Sequence, residues 1–552
     1  MKRRARVPGA PFDPVRLAIY QHLIAAAAEE MGVVLGRSAS SPNIKERRDY
    51  SCAVFDHEGR MIAQAAHIPV HLGSMPLSVQ AALARGPLER GDAVLVNDPY
   101  EGGTHLPDIT LVSPVFLPRE RRARFYVANR AHHADVGGMS PGSLPLATEM
   151  VQEGVRIPPV KIVRGGEVQH DLWRLITANV RTPGERQADL EAQLGSNATG
   201  ARRLVELAER SGPEELTRYA GYLLDYAERG VRAVLARVRP GRYTFSDALD
   251  DDGLGGPSAR LAVAITVRGG RATVDFAGSA PQVAGPLNAV YSITLSAVLY
   301  VFRCLAGRDL PTNEGCLRPL TVLCPEGSIV AARYPAAVSS GNVETSQRIT
   351  DTLFGALSRA LPDEIPAASY GTMNNVMVGG TAPDGSPFAY YETLGGGHGA
   401  GPSWDGASGM QAHMTNTLNT PIEAFEHLFP MRVRRYAFRR GSGGRGRHRG
   451  GDGLVREIEL LVPSTVTVIS DRRKIAPWGV AGGGDGKRGR NLRVPAGRSG
   501  RAGRSGRTGR TEELPGKFVR TFAAGERLIV ESPGGGGYGR ASGRAGAGRR
   551  RK

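Results

Sequence analysis

Cysteine is the scarcest informative residue in this chain: four in 552. Cys52, Cys304, Cys316 and Cys324 show no CxxC spacing, which excludes a disulfide framework or a cysteine-based zinc site and suits a reducing compartment. Long apolar runs are missing too. Leu23 to Ala28 and Val290 to Phe302 are too short or too polar to cross a bilayer, so no membrane is expected. The basic start Met1-Lys-Arg-Arg-Ala-Arg6 leads into Val7-Pro-Gly-Ala-Pro, not an apolar segment, so export is not expected and the cytoplasm is. No G-x-x-x-x-G-K-[ST] occurs, and no G-x-G-x-x-G lies between a strand and a helix, so the chain has no evident nucleotide site of its own. Aromatics make up only 6%. No repeat of 20–50 residues suggests a solenoid or propeller.

Glycine (73) and proline (37) are abundant, so short connections and tight turns should outnumber long helices. The length allows two to four domains with a sizeable core. The formal charge is +18, from 71 basic and 53 acidic residues. Residues 481–552 hold 18 Lys/Arg and 5 Asp/Glu, or +13, leaving about +5 for the preceding 480 residues. The excess lies in Gly-Arg-Ser repeats from Gly497 to Arg510 and in Gly548-Arg-Arg-Arg-Lys552. These segments have no apolar surface to bury and no aromatics to stack on bases. Residues 496–511 are therefore expected to be a disordered insertion and 541–552 a disordered tail, with no specific nucleic-acid partner.

The expected fold is mixed α/β (α+β) and multidomain, with glycine-rich β sections and an intervening helical block. Residues 1–160 form an N-terminal α/β region. Asp13 caps a helix that begins at Pro14 and runs to Met31, ending at Gly32. Cys52–Phe55 and Arg60–Ala63 form a hairpin, and Pro76–Ala84 a helix. Residues 161–235 are the helical block, interrupted at Pro213. Residues 236–430 are a central α/β region, in which Leu261–Val267 and Ala272–Phe276 form a hairpin across Gly269-Gly270. Buried helices are expected at Thr294–Leu305 and Arg348–Leu361. Residues 431–540 are β-rich, and Val455–Val462 and Ser464–Ser470 alternate like paired strands.

Two His/Asp clusters carry the chemistry. Asp98-Pro-Tyr-Glu-Gly-Gly-Thr-His105-Leu-Pro-Asp108 follows the apolar run Ala93–Val96. Asn129-Arg-Ala-His132-His133-Ala-Asp135-Val-Gly-Gly follows Phe125–Ala128. Loops leaving adjacent strand ends can bring His105, Asp108 and one of His132 or His133 to one point. Imidazole and carboxylate ligands suit a divalent transition metal such as Mn, Fe or Zn and leave positions open for water or substrate. Asp135 is expected to orient one imidazole, and Asp98 to face the same pocket. His67 and His71, on either side of Ile68-Pro-Val, are placed to contact substrate or orient a ligand, or simply to bond backbone. The run Leu394-Gly-Gly-Gly-His398-Gly, with Asp405 nearby, reads as a backbone nest for an anion or as plain tight-turn glycines. Arg48 and Asp49 read as a structural charge pair, Asn342 and Glu344 as helix caps or as a polar pair at a helix start facing a ligand, and Asp250-Asp-Asp252 as a solvated turn.

These segments together resemble the hydantoinase B/oxoprolinase family. The resemblance rests on Ser41-Pro-Asn-Ile-Lys-Glu-Arg-Arg-Asp49-Tyr-Ser-Cys52, Ala66-His-Ile-Pro-Val-His71, both His/Asp clusters, Gln152-Glu-Gly-Val-Arg-Ile-Pro-Pro159, Asn342-Val-Glu-Thr-Ser346, the Gly441–Gly453 stretch and Ser532-Pro-Gly-Gly-Gly-Gly-Tyr-Gly539. It implies a B-type subunit of an ATP-dependent cyclic amide hydrolase acting on 5-oxoproline- or hydantoin-like lactams. A separate or fused A-type subunit would bind ATP and phosphorylate the lactam oxygen, giving a hetero-oligomer. Ketone carboxylases have related subunits, so a metal-bearing carboxylase component is the rival reading, and a non-catalytic scaffold for the A-type subunit is another.

Overall fold

The computed structural model describes residues 12–65, 67–307, 309–496 and 510–541. The Gly-Arg-Ser insertion at 497–509 and the tail from 542 lie outside the described residues. Asp13 Oδ1 accepts Val15 N at 2.8 Å, and Pro14 opens helix α1 (Pro14–Ser38). The helix does not stop at Gly32. A Cβ there would collide with the His67 ring, so glycine serves close packing rather than termination. Leu17, Tyr20, Ile24, Ala28, Met31 and Leu35 form its buried stripe.

Seven strands make the first sheet: β1 (Tyr50–Asp56), β2 (Met61–Gln64), β3 (Ala93–Val96), β4 (Asp108–Val115), β5 (Phe125–His132), β6 (Val160–Arg164) and β7 (Glu167–Val168), in the order β2-β1-β5-β4-β3-β6-β7. Two long helices, Pro183–Ser211 and Pro213–Arg237, follow. Gly212 adopts φ +84° between them, and Pro213 opens the second. The first long helix packs on α1, β4 and β5. A second sheet has the order β11-β10-β9-β8, from β8 (Gly241–Leu249), β9 (Ala259–Arg268), β10 (Arg271–Asp275) and β11 (Leu320–Leu323). The expected hairpin turns at Gly269-Gly270, both at positive φ. The helices Tyr291–Leu305 and Ser346–Leu357 lie in the largest apolar core, which also takes in side chains from the first two sheets.

The expected pairing of Val455–Val462 with Ser464–Ser470 does not occur. Strand β12 (Asn375–Thr381) joins β13 (Pro387–Glu392), while β14 (Met431–Arg439) pairs with β15 (Gly453–Leu460). Next come β16 (Ser464–Ile469), β17 (Arg490–Val494), β18 (Glu512–Leu514), β19 (Lys517–Phe522) and β20 (Arg527–Glu531). The sheets are β13-β12-β16-β19 and β14-β15-β20-β17-β18, so β15 and β16 belong to different sheets. Alternation fixes which faces are buried, not which strand is the neighbour. Shared burial of Val466, Val468, Ile458, Leu460 and Phe518 joins the two sheets in one core.

The glycine runs pack backbone on backbone. Gly397 N donates to Pro533 O (3.1 Å), Gly451 N to His398 O (2.9 Å), Gly535 N to Gly451 O (3.0 Å) and Gly537 N to Gly484 O (2.9 Å). A Cβ on Gly397 or Gly451 would run into the neighbouring backbone. The amides of this bundle bond one another, which is the tight-packing reading rather than the anion nest. Tyr538, from the terminal glycine motif, is buried and donates to Pro362 O at 2.6 Å. Asp250 is buried rather than solvated, and accepts from Arg473 N, Lys474 N and Ile475 N.

Candidate metal centre

Strand register builds the centre. Antiparallel β4 and β5 place Asp108 directly opposite His132. Asp108 is thus the first residue of a strand, not part of a loop leaving β3. His105 sits in the turn just before it. On the other side of β5, His132 N donates to Asp49 O at 2.9 Å, so Asp49 reaches the same sheet end. A tight turn, Pro69–His71, and a single π-helical turn, Gly341–Thr345, bring His71 and Asn342 from distant parts of the chain. Asn342 is not a cap; its side chain faces the cluster.

His105 Nε2 and His132 Nδ1 each lie 3.2 Å from Asp108 Oδ1, and His71 Nε2 lies 3.3 Å from Oδ2. Thr104 Oγ1 donates to Asp108 Oδ2 at 2.6 Å. Asn342 Nδ2 reaches His105 Nε2 (3.0 Å) and Asp108 Oδ2 (3.3 Å). His105 Nδ1 donates to Ser339 O at 2.9 Å, which leaves the Nε2 lone pair of the neutral ring facing inward. The His132 ring stacks on Tyr391 with centroids 4.8 Å apart and planes 17° off parallel.

All of these groups are buried, yet Asp108 Oδ1, His132 Nε2 and Asn342 Oδ1 have no hydrogen-bond partner. Orphaned buried acceptors are costly, at about 1–3 kcal/mol each. Asp108, His132 and Asn342 line a cavity of ≈ 20 Å³, whose polar side is completed by Asp49, His71, Tyr391, Thr393 and Thr415 and whose apolar side is Ile68, Val70, Val343, Met373 and Met414. That is room for about one water. No lysine or arginine lines it.

Electrostatics follow the packing. Burial resists protonation of His105, but the Asp108 carboxylate outweighs it and raises the imidazole above its ordinary range. Burial also pushes Asp108 up, yet His105 and His71 hold it well below the usual carboxylate range. For His71 burial wins over Asp108, and its basicity falls. As a test for a metal, the donor set fits. His105, Asp108 and His132 present one ligand atom each, all within 4.8 Å of one another, converging on an oxygen that accepts no hydrogen bond.

The other expected residues are engaged elsewhere. His133 follows His132 in extended backbone, so its ring points to the opposite face, where Nε2 meets Gln193 Oε1 at 3.0 Å. Asp98 accepts from Tyr100 N and pairs with Arg156 at 2.6 Å. Asp135 pairs with Arg181 at 2.9 Å and accepts from Gly137 N. His67 Nδ1 accepts from Cys52 N, with its ring edge-on to Tyr50. His398 Nε2 meets Gln411 O at 2.7 Å inside the glycine bundle, and Asp405 accepts from Arg449 N. Sequence reasoning reads Asp49 as structural, leaves Asn342 open between a cap and a ligand-facing residue, and does not name Tyr391. The first two lie inside family motifs; for Tyr391 no local signal exists.

The chain is 40% identical to an uncharacterized protein of Methanocaldococcus jannaschii, over 96% of this chain and 91% of that one. It is 39% identical to 5-oxoprolinase 1 of Arabidopsis thaliana over 96% of its length, but spans only 42% of that protein. The fold matches the ATP-dependent caprolactamase of Pseudomonas jessenii with a TM-score of 0.87 and 28% identity, covering 96% of this chain and 91% of that one. Residues 13–541 match the hydantoinase B/oxoprolinase model, and the chain belongs to that family.

Proposed function

We propose that this chain is the metal-bearing B-type component of an ATP-dependent cyclic amide hydrolase, acting on lactams such as 5-oxoproline or hydantoins. The observation that carries this reading is the convergence of one donor atom each from His105, Asp108 and His132, with Asp108 Oδ1 lacking a hydrogen-bond partner beside a small cavity that Asp108 and His132 line without any lysine or arginine. His105, Asp108 and His132 would hold a divalent Mn, Fe or Zn, which supplies Lewis-acid polarisation of an amide oxygen and activation of water.

The chain's own residues do the rest. Ser339 O keeps the His105 proton on Nδ1. Tyr391 fixes the plane of the His132 ring. His71, with Nδ1 2.8 Å from Ser51 Oγ and Nε2 toward Asp108, is placed to hold or move a proton beside the cavity. The apolar wall of Ile68, Val70 and Met414 limits access of bulk water. Phosphorylation of the lactam oxygen is assigned to an A-type partner, giving a hetero-oligomer. The 5-oxoprolinase of Arabidopsis is more than twice the length this chain covers, and the glycine runs here bond one another.

Elemental analysis of the purified chain, with ATP turnover by the chain and its A-type partner on 5-oxoproline, hydantoins and ketones with and without bicarbonate, tests the reading. About one transition metal per chain and lactam-dependent ATP hydrolysis are expected. Turnover that requires both a ketone and bicarbonate would reassign the chain as a carboxylase component. No metal uptake would leave a scaffold.

A further inference from the structure

Glu153 is fully buried, and it lies in the Gln152–Pro159 motif that the proposed chemistry leaves unused. Its Oε1 accepts two consecutive backbone amides, Val338 N at 2.7 Å and Ser339 N at 2.8 Å, while Oε2 has no partner. Burying a carboxylate is expensive, and two amide bonds at a loop are a modest return unless the loop's position matters. It does matter here, because the Ser339 carbonyl is the acceptor for His105 Nδ1. On its far side, Ser340 N and Gly341 N both donate to Pro286 O, at 2.9 and 3.1 Å. The carbonyl is therefore clamped from both directions; Asn288 Nδ2 also reaches Ala337 O at 2.9 Å, but Glu153 is the side chain that holds the two amides nearest the carbonyl.

We infer that Glu153 is a positioning residue for the metal centre: by fixing the Val338–Ser339 amides it holds the carbonyl that sets the tautomer and orientation of His105. An imidazole can ligate through Nε2 only while its proton sits on Nδ1, and a fixed carbonyl is what keeps it there. The same buttress keeps the ring plane aimed at Asp108. This inference rests on the metal reading and adds a residue that touches neither metal nor substrate.

Co(II) titration of the chelator-stripped full chain tests it, read by visible absorption and by competition with a chelating dye. Glu153→Ala should weaken Co(II) binding about 10–100-fold, whereas Glu153→Gln, which keeps an oxygen acceptor for both amides, should stay within about threefold of the unaltered chain. The Co(II) bands should keep their positions in Glu153→Gln and shift or broaden in Glu153→Ala. A residue with a merely structural role would lower the melting temperature of both variants without moving the spectrum or separating Gln from Ala. Should Glu153→Ala fail to fold, Glu153→Asp carries the test; one methylene short of the amides, it should bind about tenfold more weakly. Unchanged Co(II) affinity in a folded Ala or Asp variant overturns the inference, as does a Gln variant as weak as Ala. An unaltered chain that takes up no Co(II) overturns the metal reading itself, and this inference with it.

Discussion

Two buried polar clusters draw on the helix Ser346–Leu357 and its preceding π turn, and they are built on opposite plans. In one, Arg348 pairs with Asp471 (2.6 Å) and Asp247 (3.2 Å), Arg472 with Asp247 (2.8 Å) and Asp351 (2.7 Å), and Lys517 with Asp471 (2.8 Å). Every carboxylate there meets a cation, and burial's upward push on Asp471 is overcome by Lys517 and Arg348. In the other, three imidazoles lie against Asp108, the buried Arg130 acts on it without a contact while bonded to Thr110, Ser74 and Ser78, and one carboxylate oxygen has no hydrogen-bond partner. The first cluster pairs each of its carboxylates with a cation, its orphaned atoms being the donors Arg348 Nε and Arg472 Nε, and it ties the second sheet to the third. The second has buried acceptors without donors, a composition that could hold a cation. Burial alone does not separate structural from functional charge; the balance of partners does.

That contrast can be broken by substitution, beginning with the largest effect. Asp108→Ala or His132→Ala should strip the metal and lower lactam-dependent turnover by about a thousandfold or more, about 4 kcal/mol of lost transition-state stabilisation. His133→Ala should keep the metal. Metal analysis beside steady-state rates checks both. Arg472→Ala should instead cost about 3–5 kcal/mol of stability, because Asp247 and Asp351 would be left buried with a partner missing. Denaturant unfolding measures that loss, and metal content per folded molecule should not change.

Glu344 sits between the two clusters. Burial first, then the negative charge of Asp471, push its carboxyl up to about 8. A raised folded-state value means the acid form is favoured on folding. Its contribution is therefore full below the ordinary value of 4.5 and is lost as pH rises through about 8. Melting curves from pH 5 to 9 should fall less steeply for Glu344→Gln than for the unaltered chain. The smallest effect concerns the basic insertion. Strands β17 and β18 pair with Arg493 opposite Glu512, so a short Gly/Ser turn can replace the connection between them. Thermal stability and metal content should not change, while retention on heparin at low salt should drop.

How much of this was legible depended on range in sequence. Asp13-Pro14, the Gly269-Gly270 hairpin and the break at Pro213 are local signals, and each appears where expected. The two His/Asp clusters were legible because three donors lie within 28 positions, on neighbouring strands. Even the choice between His132 and His133 was open to strand alternation, once β5 was known to run through His132. Asn342, by contrast, reaches His105 across 237 positions. Glu153 reaches Ser339 across 186. The separation of β15 from β16 into different sheets was equally invisible, because alternation is satisfied by either neighbour.

What the sequence determined by itself is therefore the inventory: donors at strand ends, caps and turn glycines, a charge surplus confined to the last 72 residues, and the motifs of one family. These follow from spacing, and spacing is conserved through folding wherever backbone geometry is regular. What only the tertiary structure decided is convergence and completeness. It set His132 rather than His133 beside His105 and Asp108, brought His71 and Asn342 to them, and paired every carboxylate of one cluster while leaving Asp108 Oδ1 without a hydrogen bond. It also gave the glycine runs to one another. The reason is physical: whether a buried polar group is satisfied depends on atoms brought within about 3 Å, and sequence distance says nothing about which residues those will be.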